Sequence, residues 1–196
     1  MSGLVLATPL RVEAALIASA ARGTSVRKTG MGPAKARAAV GELGREQASA
    51  LLVVGFCGGL DVESVPGEVI IPEQVYAADD EGHPEREPVR CELAGDLVHH
   101  LAGRGLKLRS GPIVCVSRIA TGGRREQLRA GGAIGVDMES VWLAPGARER
   151  PFGVVRVVLD SPSHELFRVR AVGGALRAAR ALRRVARALH EWSPAL

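Results

Sequence analysis

Ala50-Leu51-Leu52-Val53-Val54 runs straight into Gly55-Phe56-Cys57-Gly58-Gly59, and the reading of these residues decides the fold. Consecutive apolar side chains with no polar alternation suit a strand covered on both faces, as in the middle of a parallel sheet. The glycines behind them read as a turn that ends the strand and lets backbone approach a ligand closely. Similar short runs recur on either side at Leu4–Ala7, Glu68–Ile71, Gly111–Val116, Ala133–Val136 and Phe152–Leu159. Helical patterns separate them, from about Arg11 to Arg22, Pro33 to Glu46, Leu93 to Arg104 and Arg124 to Arg129. Proline suits a first helical turn, which fixes the start of the second of these. The alternation predicts an α/β fold with three layers, a mixed, mostly parallel central sheet flanked by helices. No repeat or linker divides the chain, so a single domain over residues 1–196 is expected. The polar stretch Ala78–Arg90, with Pro84 and Pro88, is the expected mobile loop.

The composition, 46% hydrophobic and 24% charged over 196 residues, is that of a soluble globular protein with a substantial core. No stretch reaches the length of a membrane span, and the first residues lack the basic region of a signal peptide, so a cytoplasmic location is expected. Cys57, Cys91 and Cys115 are odd in number and form neither a paired motif nor a zinc-ligand spacing, so free thiols are expected and no metal. The net charge of +5 is local. Between Phe167 and Leu196 stand Arg168, Arg170, Arg177, Arg180, Arg183, Arg184 and Arg187 against one acid, Glu191. Leu176, Ala179, Leu182, Ala186 and Leu189 recur there at helical spacing, which predicts an amphipathic helix with a solvated basic face. With aromatics at only 3%, the chain also lacks the stacking platform of a single-strand nucleic-acid binder.

In open α/β sheets ligands bind beyond the carboxyl ends of the strands. The glycines at 55–59, the acids Asp137 and Glu139, and Asp160 all stand at such ends, and Glu13 opens the first helix. Residues alone therefore indicate an enzyme that uses carboxylates on a small molecule.

Val136-Asp137-Met138-Glu139-Ser140 resembles the V-[ED]-M-E-[AGS] motif of nucleoside phosphorylases and of methylthioadenosine/S-adenosylhomocysteine nucleosidases. Pro151-Phe152-Gly153-Val154-Val155-Arg156-Val157-Val158-Leu159-Asp160 resembles their strand P-F-x-x-[VI]-R-x-[IV]-S-D. Val53–Leu60, Pro66–Ile71 and Thr29–Pro33 resemble, in family order, their glycine-rich turn, their P-G-D strand and their G-[IMV]-G turn. Within this superfamily the turn and the Val-Asp-Met-Glu-Ser motif are most similar to the branch associated with hopanoid biosynthesis, then to futalosine hydrolase.

The resemblance implies cleavage of the N-glycosidic bond of a purine nucleoside, most simply an adenine nucleoside such as adenosylhopane with a bulky 5′ substituent. It gives Asp160 the role of the general acid that protonates or hydrogen-bonds purine N7, where the leaving base gathers negative charge. Glu13 corresponds to the glutamate that activates water. Glu139 would bind the ribose hydroxyls, with Met138 against the sugar, while Asp137 is left open between site and structure. Phe56, Cys57, Gly58, Ile119 and Phe152 complete the implied substrate-binding set, Phe152 standing equally as plain core. A phosphorylase would instead use Arg11 and Gly32 for inorganic phosphate as co-substrate; no other cofactor is implied, and a homo-oligomer is expected from relatives. Helix capping is the plain alternative for Asp160 and Glu139, and a surface ion pair for Glu13 or Arg11.

Departures sharpen this. Leu159 replaces the serine before the aspartate, and Val53 and Phe56 replace the phosphorylases' phosphate-binding arginine and serine. Ser117-Arg118-Ile119-Ala120 lacks the nucleosidases' stacking phenylalanine, which leaves Phe56 or Phe152 to supply an aromatic face. The stretch 78–90 reads as trimmed, which suits a bulky 5′ group. A non-catalytic nucleoside sensor on the same fold is the alternative reading.

Overall fold

The computed structural model describes residues 3–79, 81–163, 171–192 and 194. In chain order the elements are β1 (Leu4–Thr8), α1 (Arg11–Ala20), β2 (Ser25–Lys28), α2 (Pro33–Leu43), β3 (Ala50–Gly59), β4 (Val69–Ile71), β5 (Gln74–Ala77) and β6 (Val89–Arg90). There follow α3 (Ala94–Leu101), β7 (Leu108–Ser110), β8 (Ile113–Cys115), α4 (Gly123–Ala130), β9 (Gly135–Asp137), α5 (Ser140–Leu143), a 3-10 turn (Ala144–Ala147), β10 (Phe152–Asp160) and α6 (Ala171–His190). This is the mixed α/β architecture expected, a sheet flanked by helices.

The sheet is organised around β3. Its first residues pair in parallel with β1, Leu4–Ala7 against Ala50–Val53. Its last residues, Gly58 and Gly59, pair antiparallel with Val136 and Gly135 of β9. Along the other edge β10 runs parallel to β3 from Phe152 beside Leu51 to Asp160 beside Gly58. The glycine segment is therefore strand rather than the expected turn. Glycine carries little strand propensity, and what recruits it here is pairing on both edges, which no local pattern displays.

Other differences have the same origin. Ser25–Lys28, Gln74–Ala77 and Leu108–Ser110 are strands by pairing with β1, β8 and β4, though their sequences are short or polar. The stretch expected as a loop bends back on itself: Ala78 bridges Pro84, Asp79 Oδ1 accepts from the N–H groups of Glu81 and His83, and Val89–Arg90 returns as β6 against β5.

Helices α1, α3 and α6 pack together, and α2, α5 and the 3-10 turn form a second group. Helix α6 buries Ala178, Ala181, Leu182, Val185, Ala186, Ala188 and Leu189, while Arg177, Arg180, Arg183, Arg184 and Arg187 are exposed. Leu176, expected on the buried face, is 52% exposed, so the docked face begins later than its apolar pattern. Arg168 and Arg170 lie outside the described residues. Among the described residues no helix is long and apolar enough to cross a membrane. Leu182→Ala should cost about 2–5 kcal/mol by opening a cavity, whereas Leu176→Ala should stay within about 0.5 kcal/mol. Urea midpoints of the two variants check this register.

Candidate active site

The chemistry gathers where β1, β3, β9 and β10 end. Among them a cleft of about 170 Å³, open to solvent, is lined by Glu13, Arg118, Arg125, Asp137, Glu139 and Asp160 among apolar neighbours such as Phe56 and Met138. Val116, Ala120 and Val136 in its wall belong to a second small apolar cluster that Met138 packs against.

Behind it lies Arg156, fully buried in a strand that is otherwise apolar up to its last residue, Asp160. Its Nη2 meets Asp137 Oδ2 at 2.6 Å and Glu139 Oε2 at 3.5 Å, and its Nε and Nη2 donate to Ser140 Oγ at 3.2 and 3.0 Å. Nη1 donates to the Phe56 carbonyl at 3.4 Å. Asp137 is further held by the Ser140 hydroxyl, by Cys115 Sγ at 2.7 Å and by the Glu139 N–H at 3.2 Å. It thus anchors the β9–α5 corner, and it also stands in the lining of the cleft.

Glu139 leaves that corner into the cleft, where Gly32 donates its N–H to Oε1 at 2.8 Å. Gly32 takes φ of 90°, which favours glycine. Burial is the largest influence on the Glu139 carboxyl and raises it to about 7, against the attraction of Arg156 and with help from nearby Asp137.

Glu13 sits in the first turn of α1 and is 1% exposed. Oε2 accepts from the Leu10 N–H at 2.7 Å and from Thr8 Oγ1 at 3.0 Å, and Oε1 from the Phe56 N–H at 2.6 Å. Its bond to Leu10 makes it a helix-start glutamate as well as a cleft residue. Burial raises its pKa, opposed by Arg156 and these hydrogen bonds. The approach depends on Gly55, since a Cβ there would fall 2.6 Å from Glu13 Oε1 and 2.9 Å from Arg156 Nη1.

On the far side of the cleft, Asp160 Oδ2 receives Arg125 Nη2 at 2.6 Å. Arg125, 5% exposed, also donates from Nε to the Ala120 carbonyl at 2.9 Å and from Nη1 to the Gly59 carbonyl at 3.3 Å.

A family model described as the phosphorylase superfamily matches residues 15–187. The chain belongs to the phosphorylase superfamily. No curated protein sequence matches it. Solved structures share this superfamily fold at low identity. The 5′-methylthioadenosine/S-adenosylhomocysteine nucleosidase of Campylobacter jejuni superposes at a TM-score of 0.81 with 14% identity, over 98% of this chain and 100% of that one. Futalosine hydrolase of Helicobacter pylori gives 0.80 at 14% identity, over 97% of each chain. The Neisseria meningitidis 5′-methylthioadenosine/S-adenosylhomocysteine nucleosidase, in complex with methylthio-immucillin-A, gives 0.77 at 18% identity, over 98% and 100%.

Within this superfamily fold the structure brings Glu13, Phe56, Cys57, Gly58, Ile119, Met138, Glu139 and Asp160 to one cleft. Three expected residues are placed otherwise. Phe152 opens β10, at the opposite end of the strand from Asp160, and is 3% exposed in the core, so its packing is structural. Arg11 is exposed at the start of α1 and does not line the cleft. The Gly32 N–H is engaged by Glu139, and Gly32 too stands outside the cleft lining. None of the described residues between 78 and 90 lines the cleft.

The sequence reading assigned no role to Thr8, Arg156 or Arg125. Arg156 carried a signal, an ionisable residue inside an apolar strand, which is rarely tolerated without a partner. Arg125 carried none, standing beside Arg124 in a polar helix.

Because the folded Glu139 holds its proton to about pH 7 and the unfolded one only to about 4.5, its ionisation weakens the fold as pH rises through that window. Glu139→Gln removes this dependence. The melting temperature of the wild type relative to Glu139→Gln should therefore fall between pH 5 and 8, as scanning calorimetry of both would record.

Proposed function

We propose that the chain is a purine nucleosidase that hydrolyses the N-glycosidic bond of an adenine nucleoside carrying an apolar 5′ substituent. The observation that carries this reading is the division of one apolar cleft between a carboxylate pair, Glu13 and Glu139, and the Asp160–Arg125 pair.

In this reading the purine lies against Phe56, Val116, Val136 and Ile119, with Asp160 at its imidazole edge. The ribose hydroxyls donate to Glu139, and Met138 covers the sugar. As the N9–C1′ bond breaks, its electron pair leaves with the base and C1′ becomes oxocarbenium-like. A water positioned by Glu13 adds its oxygen to C1′ and gives its proton to the carboxylate. Three donors already fix the orientation of Glu13, so little rearrangement accompanies the step.

Water is favoured over phosphate because a phosphate dianion entering beside Glu13 and Glu139 would meet two buried carboxylates. Val53 and Phe56 offer it no donor side chain, and Arg11 lies outside the cleft lining. An apolar 5′ group is favoured by the cleft's rim, where Met31 and Ile119 line the opening yet stay 48% and 65% exposed. Large apolar side chains at a mouth gain most from an apolar ligand that covers them.

Chromatographic detection of free base from adenosine, inosine and 5′-alkyl adenosines, with and without phosphate, tests the assignment. Release without phosphate is expected, with Glu13→Gln and Asp160→Asn each reducing kcat by at least about 100-fold. Phosphate dependence would make the chain a phosphorylase. Binding without release from any nucleoside would make it a sensor. Met31→Ser should raise KM for the long 5′-alkyl substrate by roughly tenfold and leave that for adenosine within about twofold. The rate at limiting substrate should rise with pH through about 7 as Glu139 ionises, a limb that Glu139→Gln abolishes.

A further inference from the structure

Arg125 stands at the base end of the cleft, and the nucleosidase reading, on which the following rests, gives it no task. We propose that Arg125 is the fixed electrophile that draws the purine off the sugar, and that Asp160 is the residue that holds its guanidinium in position.

Three contacts orient the guanidinium plane: Nε on the Ala120 carbonyl at 2.9 Å, Nη1 on the Gly59 carbonyl at 3.3 Å and Nη2 on Asp160 at 2.6 Å. Ala120 precedes α4, Gly59 ends β3 and Asp160 ends β10, so the side chain is braced from three separate parts of the fold. A guanidinium has five N–H donors, and among the described residues these contacts engage three. The side chain lines the cleft at 5% exposure, with Val116, Val136, Ile119 and Ala120 as apolar neighbours that keep the surroundings poorly screened. A buried arginine with donors to spare, in the lining of an apolar cleft, can receive negative charge that develops there.

The nucleoside is neutral at its base in the ground state, and negative charge appears on N7 and N3 only as the N9–C1′ bond opens. A permanent cation there stabilises the transition state more than the substrate. The guanidinium keeps its protons throughout. The base leaves as an anion hydrogen-bonded to Arg125 and takes its proton from solvent, while the proton of the attacking water goes to Glu13, which returns it to solvent. The balance is one water consumed, with free base and free sugar formed.

The decisive comparison pairs adenosine and a 5′-alkyl adenosine with the N7-methyl derivative of each. Methylation fixes a positive charge on the imidazole ring, so the base departs neutral and needs no cation beside it. Arg125→Met should lose on the order of 100-fold or more in kcat on the ordinary nucleosides and less than about threefold on the methylated ones. Arg125→Lys, which keeps the charge, should recover part of the loss. Should loss of the Arg125–Asp160 contact prevent Arg125→Met from folding, Arg125→Gln, which keeps a hydrogen-bond donor without the charge, should show the same split. Equal losses on both substrate classes would overturn the inference and leave Arg125 a structural brace, and so would no loss on either. Failure of the wild type to cleave any of the four compounds would overturn the nucleosidase reading itself, and the inference with it. That outcome is distinct from a wild type that cleaves while its variant shows no split.

Discussion

A single buried cation sets the geometry of the cleft's inner wall. Arg156 has no exposure to water and is surrounded by Asp137, Glu139 and, at longer range, Glu13. Three carboxylates about one guanidinium cannot all be compensated. Asp137 takes the closest contact and the most hydrogen bonds, while burial raises the proton affinity of Glu139 and Glu13 against the attraction of Arg156. Removing one partner of such a buried pair typically costs about 3–5 kcal/mol, because the other charge is left without compensation. The same network therefore stabilises the β9–α5 corner and tunes the carboxylates that face the ligand.

That network is possible only because the backbone comes unusually close to it. Gly55 lets β3 pass against both Glu13 and Arg156, and Phe56 offers its N–H to one and its carbonyl to the other. The peptide around Phe56 thus couples Glu13 to the buried cation, while the Phe56 side chain, half-buried, lines the cleft. On the other side, the ends of β3 and β10 hold the Arg125–Asp160 pair. Two buried arginines, Arg156 behind Glu139 and Arg125 beside Asp160, give the inner wall of the cleft its polarity.

Much of this was legible in the chain. The apolar runs and the helices between them define the layers, because burial on both faces forces continuous hydrophobicity and burial on one forces helical periodicity. The positions of Glu13, Glu139 and Asp160 at strand and helix ends also marked them, since ligands meet an open sheet there. Leu176 shows where the pattern misleads: it keeps the helical period of α6 yet stays exposed, because periodicity records a face and not what lies opposite it.

The sequence by itself determined the α/β class, the order of the apolar strands along the chain and the acids that converge, because each follows from local hydrophobicity or from a motif. Only the tertiary structure decided that Gly55–Gly59 is strand, that Asp137 is an anchor, that Phe152 is core and that Arg125 faces Asp160. Each of these depends on pairing between segments far apart in the chain, Gly58 with Val136 and Asp160, or Arg125 with the ends of two strands. A charge or a glycine carries no local sign of the partner that gives it meaning, since its energy is set by burial and by neighbours that only folding supplies.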